Sequence, residues 1–298
     1  MLRRSIKSMT ISSSSLAAGI LVVLAATAGS AEAADPKPDK SGYSLFNPTP
    51  ESELRDFAPD RPAKNTGANT IDAGHIQLET ELVNYSRAKT DTTKTTTWVG
   101  PNPTARIGVT NRFEVQINWA PYLHVHQKDI ATGDTTSGSG VSDLFVRGKL
   151  NIWGNEGGKT ALAIIPYVKA GTAPEVVGGN RATEYGVIIP FSVTLAENVS
   201  LLFNTEFDSL KNSDSGGYHA QYINALGLTV PVIKDVAFTA ELWSSINTDP
   251  ARTIRQYSFD TALAWTVRKN LQLDLGANFG LNSDTPRIQV YTGVATRF

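Results

Sequence analysis

Charged side chains recur at alternate positions of otherwise apolar segments along most of this 298-residue chain. The alternation places the charges on one face of each segment and leucine, valine, isoleucine and phenylalanine on the other. Residues on the polar faces are Glu79, Glu81, Arg106, Glu114, Asp143, Arg147, Lys149, Lys169, Glu184, Glu206, Glu241, Asp260, Asp274 and Arg287. Such a mixture could line an aqueous passage and select small polar or amphipathic solutes. Alternatively, the charges pair across the interior and close it.

Two histidines, His124 and His126, stand two residues apart on one face of an extended segment. Imidazoles at this spacing can bind a metal ion, but a structural site needs a third and a fourth ligand. The sequence shows neither, so we predict solvated histidines, no metal site and no cofactor.

Serines near histidines raise the possibility of a lipolytic enzyme, because a serine nucleophile needs an adjacent base. His219 lies near Ser213 and Ser215 in the sequence, and His124 is followed by serines at 137 and 139. These serines belong to Gly/Ser-rich stretches in which turn chemistry already favours serine. We therefore predict no enzymatic activity, and a lipolytic enzyme stays the alternative.

The elements that position these residues are predicted to be β-strands, since side chains alternate with a period of two. Twelve segments show the pattern: 76–86, 97–109, 112–126, 141–153, 160–171, 183–195, 199–209, 218–229, 236–246, 256–267, 271–281 and 286–298. Tight turns follow the even-numbered strands, and longer polar connections, such as 87–96 and 127–140, follow most of the odd-numbered ones. Prolines at 121, 166 and 190 predict bulges or shifted boundaries, because proline cannot donate to a ladder.

This arrangement predicts an all-β fold, a transmembrane antiparallel up-and-down β-barrel of about twelve strands. Lipid would solvate the apolar faces and water the polar ones. Short turns on one side and long loops on the other would place both termini in the periplasm. Trp98, Trp153, Trp243, Tyr257 and Phe298 lie near predicted strand ends, where an interfacial aromatic girdle is expected.

The chain begins with a predicted signal peptide over residues 1–33. Arg3, Arg4 and Lys7 precede an apolar run, and Ala31-Glu32-Ala33 offers a cleavage site. The proline-rich stretch 34–72 is predicted to be either a periplasmic leader or a plug at the barrel opening. Residues 73–298 form the predicted barrel. The chain has no cysteine and a formal net charge of −1, so nothing favours a disulfide framework or a nucleic-acid partner.

Two features resemble known outer-membrane proteins. The last strand ends on Phe298, as in bacterial outer-membrane barrels, whose terminal aromatic serves as a signal to the barrel-assembly machinery. Asp60-Arg61-Pro62, followed by Asp72-Ala73-Gly74-His75-Ile76-Gln77-Leu78-Glu79, resembles the opening of the outer-membrane transporter family labelled MetA-pathway of phenol degradation. That resemblance extends over roughly residues 60–298. It implies a barrel for uptake of aromatic or other small apolar compounds.

From the residues and the resemblance together we expect an outer-membrane channel for passive passage of small solutes. Its partners would be outer-membrane lipids, the assembly machinery and a small-molecule solute. A lipolytic barrel enzyme and a closed structural or adhesin-like barrel stay open as alternatives.

Overall fold

A computed structural model describes residues 39–298 of the protein, and the predicted signal peptide lies outside that part. Its strands are β1 Ile76–Lys89, β2 Thr93–Val99, β3 Asn102–Thr110, β4 Phe113–Asn118, β5 Leu123–Asp129, β6 Thr135–Gly140, β7 Leu144–Trp153, β8 Thr160–Ala170, β9 Glu184–Ala196, β10 Val199–Lys211, β11 Tyr218–Ile233, β12 Val236–Asn247, β13 Ile254–Arg268, β14 Leu271–Gly280 and β15 Ile288–Arg297. Two 3-10 turns, Glu51–Glu53 and Glu175–Val177, supply the helical content of this part. Across residues 39–298, no helix is both long enough and apolar enough to cross a membrane.

The strands form one antiparallel sheet that closes on itself. Neighbours in space run from β15 back to β7, then through β4 and β3 to β1, and β1 also pairs with β15. The closing seam extends from Gln77 opposite Arg297 to Arg87 opposite Ile288. Closure satisfies the backbone groups of both edge strands, which a lipid environment requires.

Twelve strand positions make up this barrel, because three of them are each broken into two segments. β2 and β3 share one position, because β1 pairs with β3 along its first half and with β2 along its second half. In the same way β4 and β5 share one position, as do β6 and β7. The prediction of a closed barrel of about twelve strands is confirmed.

The barrel has two different ends. The connections at residues 111–112, 154–159, 197–198, 234–235 and 269–270 form one end, which we call the turn end. The opposite loop end carries a raised sheet of β2, β5, β6 and the second half of β1. Much of 87–96 and 127–140, predicted as loops, is therefore strand. These segments are rich in threonine, a residue favoured in strands, which suits hairpins that project beyond the barrel.

Apolar side chains face outward and polar ones inward, as predicted. Leu242 and Leu275 are 55% and 58% exposed, whereas their neighbours Glu241 and Asp274 are buried. Trp98, Trp153 and Tyr257 also point outward, which agrees with an aromatic girdle. Trp243 does not, because it faces the interior with the Lys64 amine 4.2 Å from its ring centre. Its assignment to the girdle was wrong.

Each of the three prolines disturbs the ladder locally. Pro121 lies in the break between β4 and β5. Pro166 and Pro190 stay inside continuous strands, but the pairing of β8 with its neighbours lapses for two residues beside each of them. The expected irregularities therefore occur without ending β8 or β9.

Candidate functional site

The interior of the barrel contains a length of its own chain. Residues 60–71, which we call the inner segment, lie among the polar side chains of the strands before the chain enters β1. None of these residues takes part in a strand pairing of the described sheet. The inner segment is held by side chains from β1, β3, β4 and β7 on one wall and from β10 and β12 to β15 on the other.

Arg61 connects the inner segment to β14. Its guanidinium donates to Asp274 through Nη2 at 2.6 Å and through Nε at 3.1 Å, a two-bond geometry typical of strong arginine–carboxylate pairs. Glu81 on β1 lies 3.5 Å from Nη1. Gly293 of β15 faces the same guanidinium so closely that a Cβ there would overlap it. A glycine at this position therefore makes room for Arg61.

Asp60 connects the inner segment to the opposite wall. Its carboxylate accepts a hydrogen bond of 2.8 Å from the Lys149 amine and lies 3.2 Å from the Arg106 guanidinium. The backbone N–H groups of Asp60 and Arg61 donate to Glu79 at 3.2 and 3.0 Å. The Asp-Arg-Pro motif thus bridges β1, β3, β7 and β14 across the interior.

The next residues bind the walls formed by β10, β12 and β13. The Lys64 amine is 3.0 Å from Asp260 and donates to Ser258 at 2.8 Å. Glu241 accepts the backbone N–H groups of Lys64 and Asn65 at 3.2 and 3.0 Å. Backbone donors are therefore satisfied by a buried carboxylate, as a non-strand segment in a polar interior requires.

The inner segment then returns to the turn end along β7, β8 and β4. Ala68 packs in a buried cluster with Ala161 and Ala163 of β8. Ile71 N–H donates to Glu114 Oε2 at 2.6 Å, and Glu114 also pairs with Arg106 at 2.8 Å. Small side chains on β8 and paired charges on β4 leave space for the backbone to pass.

A group of charges at the turn end holds the chain that precedes the inner segment. We call Lys40, Arg55, Asp72 and Glu156 the clamp. Arg55 donates to Glu156 at 2.8 Å, and the buried Lys40 amine lies 3.4 Å from both Asp72 and Glu156. Burial alone would raise the pKa of Glu156, but hydrogen bonds and charge from Arg55 outweigh it and hold the pKa below its ordinary value. The clamp therefore contains an ionised Glu156 at neutral pH.

Thirteen of the predicted lining residues face the interior, and most are bound to another charge or to the inner segment. Those that contact the inner segment are Glu79, Glu81, Arg106, Glu114, Lys149, Glu241, Asp260 and Asp274. Nearer the loop end, Lys169 joins Asp143 at 2.9 Å and Glu184 at 2.7 Å. Arg147 and Glu206 line a cavity, and Arg287 lies at the loop-end rim. A role of these residues in selecting solutes stays a prediction.

Sequence reasoning missed several residues that hold the inner segment. Asn204 both donates to and accepts from the backbone of Thr66, at 3.0 and 2.7 Å. Tyr291 donates to the Pro62 carbonyl at 2.9 Å. One sequence signal for the inner segment was available. Inward-facing residues such as Ala163 and Gly293 are small, and a close-packed interior must fill the volume they leave with other atoms.

The histidine pair faces outward at the loop end, not toward the interior. His124 is opposite Trp98 and His126 is opposite Thr96, because the break between β4 and β5 reverses which alternate residues point inward. Their Nδ1 atoms lie 2.8 and 2.7 Å from the hydroxyls of Ser139 and Ser137. Over residues 39–298, no third residue hydrogen-bonds either imidazole. No cluster of three metal-ligating acidic or histidine residues occurs there either.

The loop end is partly covered by the connection between β8 and β9. Its 3-10 turn, Glu175–Val177, packs on the inward face of the raised sheet at Gly138 and Gly140. At Gly138 a Cβ would overlap Val176, so the close approach depends on the missing side chain. This connection narrows the loop-end opening.

A closed twelve-strand barrel with an apolar exterior and a polar, filled interior defines an outer-membrane β-barrel protein. Residues 59–298 match the model of the family described as "Putative MetA-pathway of phenol degradation", and the chain belongs to that family. The resemblance drawn from Asp60-Arg61-Pro62 is thereby confirmed. No curated protein matches the chain.

Among solved structures, the fold is similar to that of the COG4313 outer membrane channel from Pseudomonas putida F1. The TM-score is 0.56 at 14% sequence identity, over 75% of this chain and 95% of that one. The NanC porin gives a TM-score of 0.46 at 9% identity, over 74% of this chain and 98% of that one. At such identities the likeness concerns the fold.

Proposed function

We propose that this protein is an outer-membrane channel for passive passage of small solutes, and that the inner segment sets how far it opens. The turn end, with the clamp, would face the periplasm, and the raised sheet would face outside. Solutes would pass between the inner segment and the strands that it contacts. The COG4313 relative, named as an outer membrane channel, supports the proposal by its fold.

The observation that carries the proposal is how the inner segment is attached. Its contacts to the walls are side-chain hydrogen bonds and ion pairs, such as Arg61 with Asp274 and Thr66 with Asn204, and not strand pairing. The barrel ladder closes without it, from β1 to β15. The inner segment can therefore shift without opening a single backbone bond of the wall.

A reversible cross-link tests this directly. The chain has no cysteine, so Ala68→Cys combined with Ala163→Cys introduces the only pair, at two residues of one buried cluster. In planar bilayers, we expect the oxidised variant to conduct less than the reduced variant, and reduction to restore the conductance. The single variant Ala68→Cys, measured under both conditions, is the control for effects of the reductant.

The alternatives give different results in the same experiments. A closed structural barrel would show no conductance in either redox state, even when residues 60–71 are replaced by a glycine–serine linker. A lipolytic enzyme would hydrolyse phospholipid, and Ser139→Ala or Ser137→Ala would abolish that activity, since these hydroxyls contact His124 and His126. Either result would replace the channel proposal.

A further inference from the structure

Two adjoining cavities lie beside the inner segment, about halfway along the barrel wall. Their volumes are about 180 and 210 Å³, and both are lined by Lys64, Thr66, Arg147 and Ile188. Their combined volume lies near the lower end of the range for small-molecule sites, about 300–1,000 Å³. The space therefore suits a compact organic molecule.

Arg147 of β7 differs from the other interior arginines in having no bonded partner. Its Nε atom is buried without a hydrogen-bond partner, and within residues 39–298 its guanidinium forms no ion pair; the guanidinium carbon lies 5.3 Å from the centre of the Phe145 ring. Arg61 and Arg106, by contrast, are each bound to carboxylates at 2.6 and 2.8 Å. A buried cation without a partner is unfavourable, and a bidentate anion is the ligand that a guanidinium fits best.

The other positive charges at the cavities, those of Arg61, Lys64 and Arg106, are already engaged. The Lys64 amine is bound to Asp260 and lies over the ring of Trp243. Arg147 is therefore the group available to an incoming anion. One anionic group, and not two, matches one free guanidinium.

The remaining walls are apolar and aromatic on one side. Ile188, Ile223, Ala225 and Trp243 line the second cavity together with Arg147. Glu206 also borders this cavity, and the Tyr167 hydroxyl donates a hydrogen bond of 3.1 Å to the Glu206 carboxyl group. A second negative charge on a ligand would find no free cation in this lining and would lie near the Glu206 carboxyl group, which disfavours it.

We infer that these cavities form a binding site for an amphipathic monocarboxylate, with the carboxylate on Arg147 and an apolar or aromatic body against Ile188, Ile223 and Trp243. This inference rests on the proposed channel function and names the class of solute that the passage would hold. Aromatic monocarboxylates fit it; dicarboxylates and uncharged aromatic amides or alcohols do not.

Binding can be measured on the full chain in detergent, separately from conductance. Benzoate is the probe, and its titration is followed by calorimetry and by the fluorescence change that Trp243→Phe should remove. Terephthalate and benzamide are the comparison ligands. We expect benzoate to bind, and the other two to bind at least tenfold more weakly.

Arg147→Gln should weaken benzoate binding at least tenfold, while Arg147→Lys should retain part of it. Arg252→Gln is the matched control, since Arg252 is exposed at the loop end and paired with Asp284. Heat-modifiable migration on gels verifies that each variant is a folded barrel. Glu206→Gln should strengthen binding of terephthalate relative to benzoate.

Unchanged benzoate affinity in folded Arg147→Gln would overturn the inference, as would equal binding of benzamide. No detectable benzoate binding to the wild-type protein would overturn it too. These outcomes leave the channel proposal standing if the cross-linked variant still gates conductance. Conversely, benzoate binding with no conductance in any variant would overturn the channel and retain a ligand-binding barrel.

Discussion

Arg61 and Asp274 form an ion pair that joins the inner segment to β14, with Nη2 2.6 Å from Oδ1 and Nε 3.1 Å from Oδ2. The two residues are 213 positions apart in the sequence. Their side chains are mostly or fully removed from water. Removing one partner from such a pair costs about 3–5 kcal/mol, because the other is left buried and charged.

Arg61→Gln should therefore loosen the inner segment and raise single-channel conductance in planar bilayers. Asp274→Asn should do the same, and the double variant should change conductance by less than the sum of both. Arg252→Gln, which removes an ion pair at the loop end, should leave conductance unchanged. Wild-type conductance in both single variants would show that the pair does not restrict the passage.

The stability of the barrel should depend on Asp60. Lys149 is fully buried, and its shortest ionic contact is the 2.8 Å distance from its amine to the Asp60 carboxylate. Asp60→Asn should lower the free energy of unfolding by about 3–5 kcal/mol, measured by urea unfolding in lipid vesicles. Asp129→Asn, at an exposed hairpin, is the control, and an equal loss in both variants would contradict the prediction.

The clamp should release in acid. Since the pKa of Glu156 is lowered in the folded protein, its stabilisation is complete above the ordinary carboxyl value of 4.5 and disappears as the pH falls through the lowered pKa. Residues 39–58 should therefore become sensitive to an acid-active protease below about pH 4.5. In Glu156→Gln, cleavage of residues 39–58 should already be faster at neutral pH, measured with a protease active there, and should depend less on pH. Cleavage that rises equally in both proteins would assign the effect to another group.

Lipid should solvate the outward face of β14. Leu275 lies in the middle of the strand and Leu281 just beyond its loop end, with exposures of 58% and 59%. Leu275→Arg should cost about 2–4 kcal/mol of stability in vesicles, whereas Leu281→Arg should cost about 0–1 kcal/mol, because the penalty falls toward the interface. Equal costs would mean that this face does not cross hydrocarbon.

Strand number and facing could be predicted from the sequence because side-chain alternation is a local property. Leu275 and Asp274 are adjacent, and their opposite characters assign each to a face without knowledge of any distant residue. The prediction of which face a residue occupies fails where the chain deviates from regular strand pairing. A bulge at Glu81/Val83 reverses the alternation within β1. The break after Asn118 reverses it between β4 and β5, which is why His124 points outward.

The sequence by itself determined a twelve-strand barrel with lipid outside and charges inside, since hydrogen bonding and hydrophobicity in lipid permit few other arrangements. It also contained the Asp-Arg-Pro motif, but not what the motif contacts. Only the tertiary structure decided that Asp60 and Arg61 reach opposite walls and that Arg147 has no hydrogen-bonded or ionic partner within residues 39–298. Those facts depend on which residues from distant strands meet across a closed interior, and no local pattern encodes such meetings.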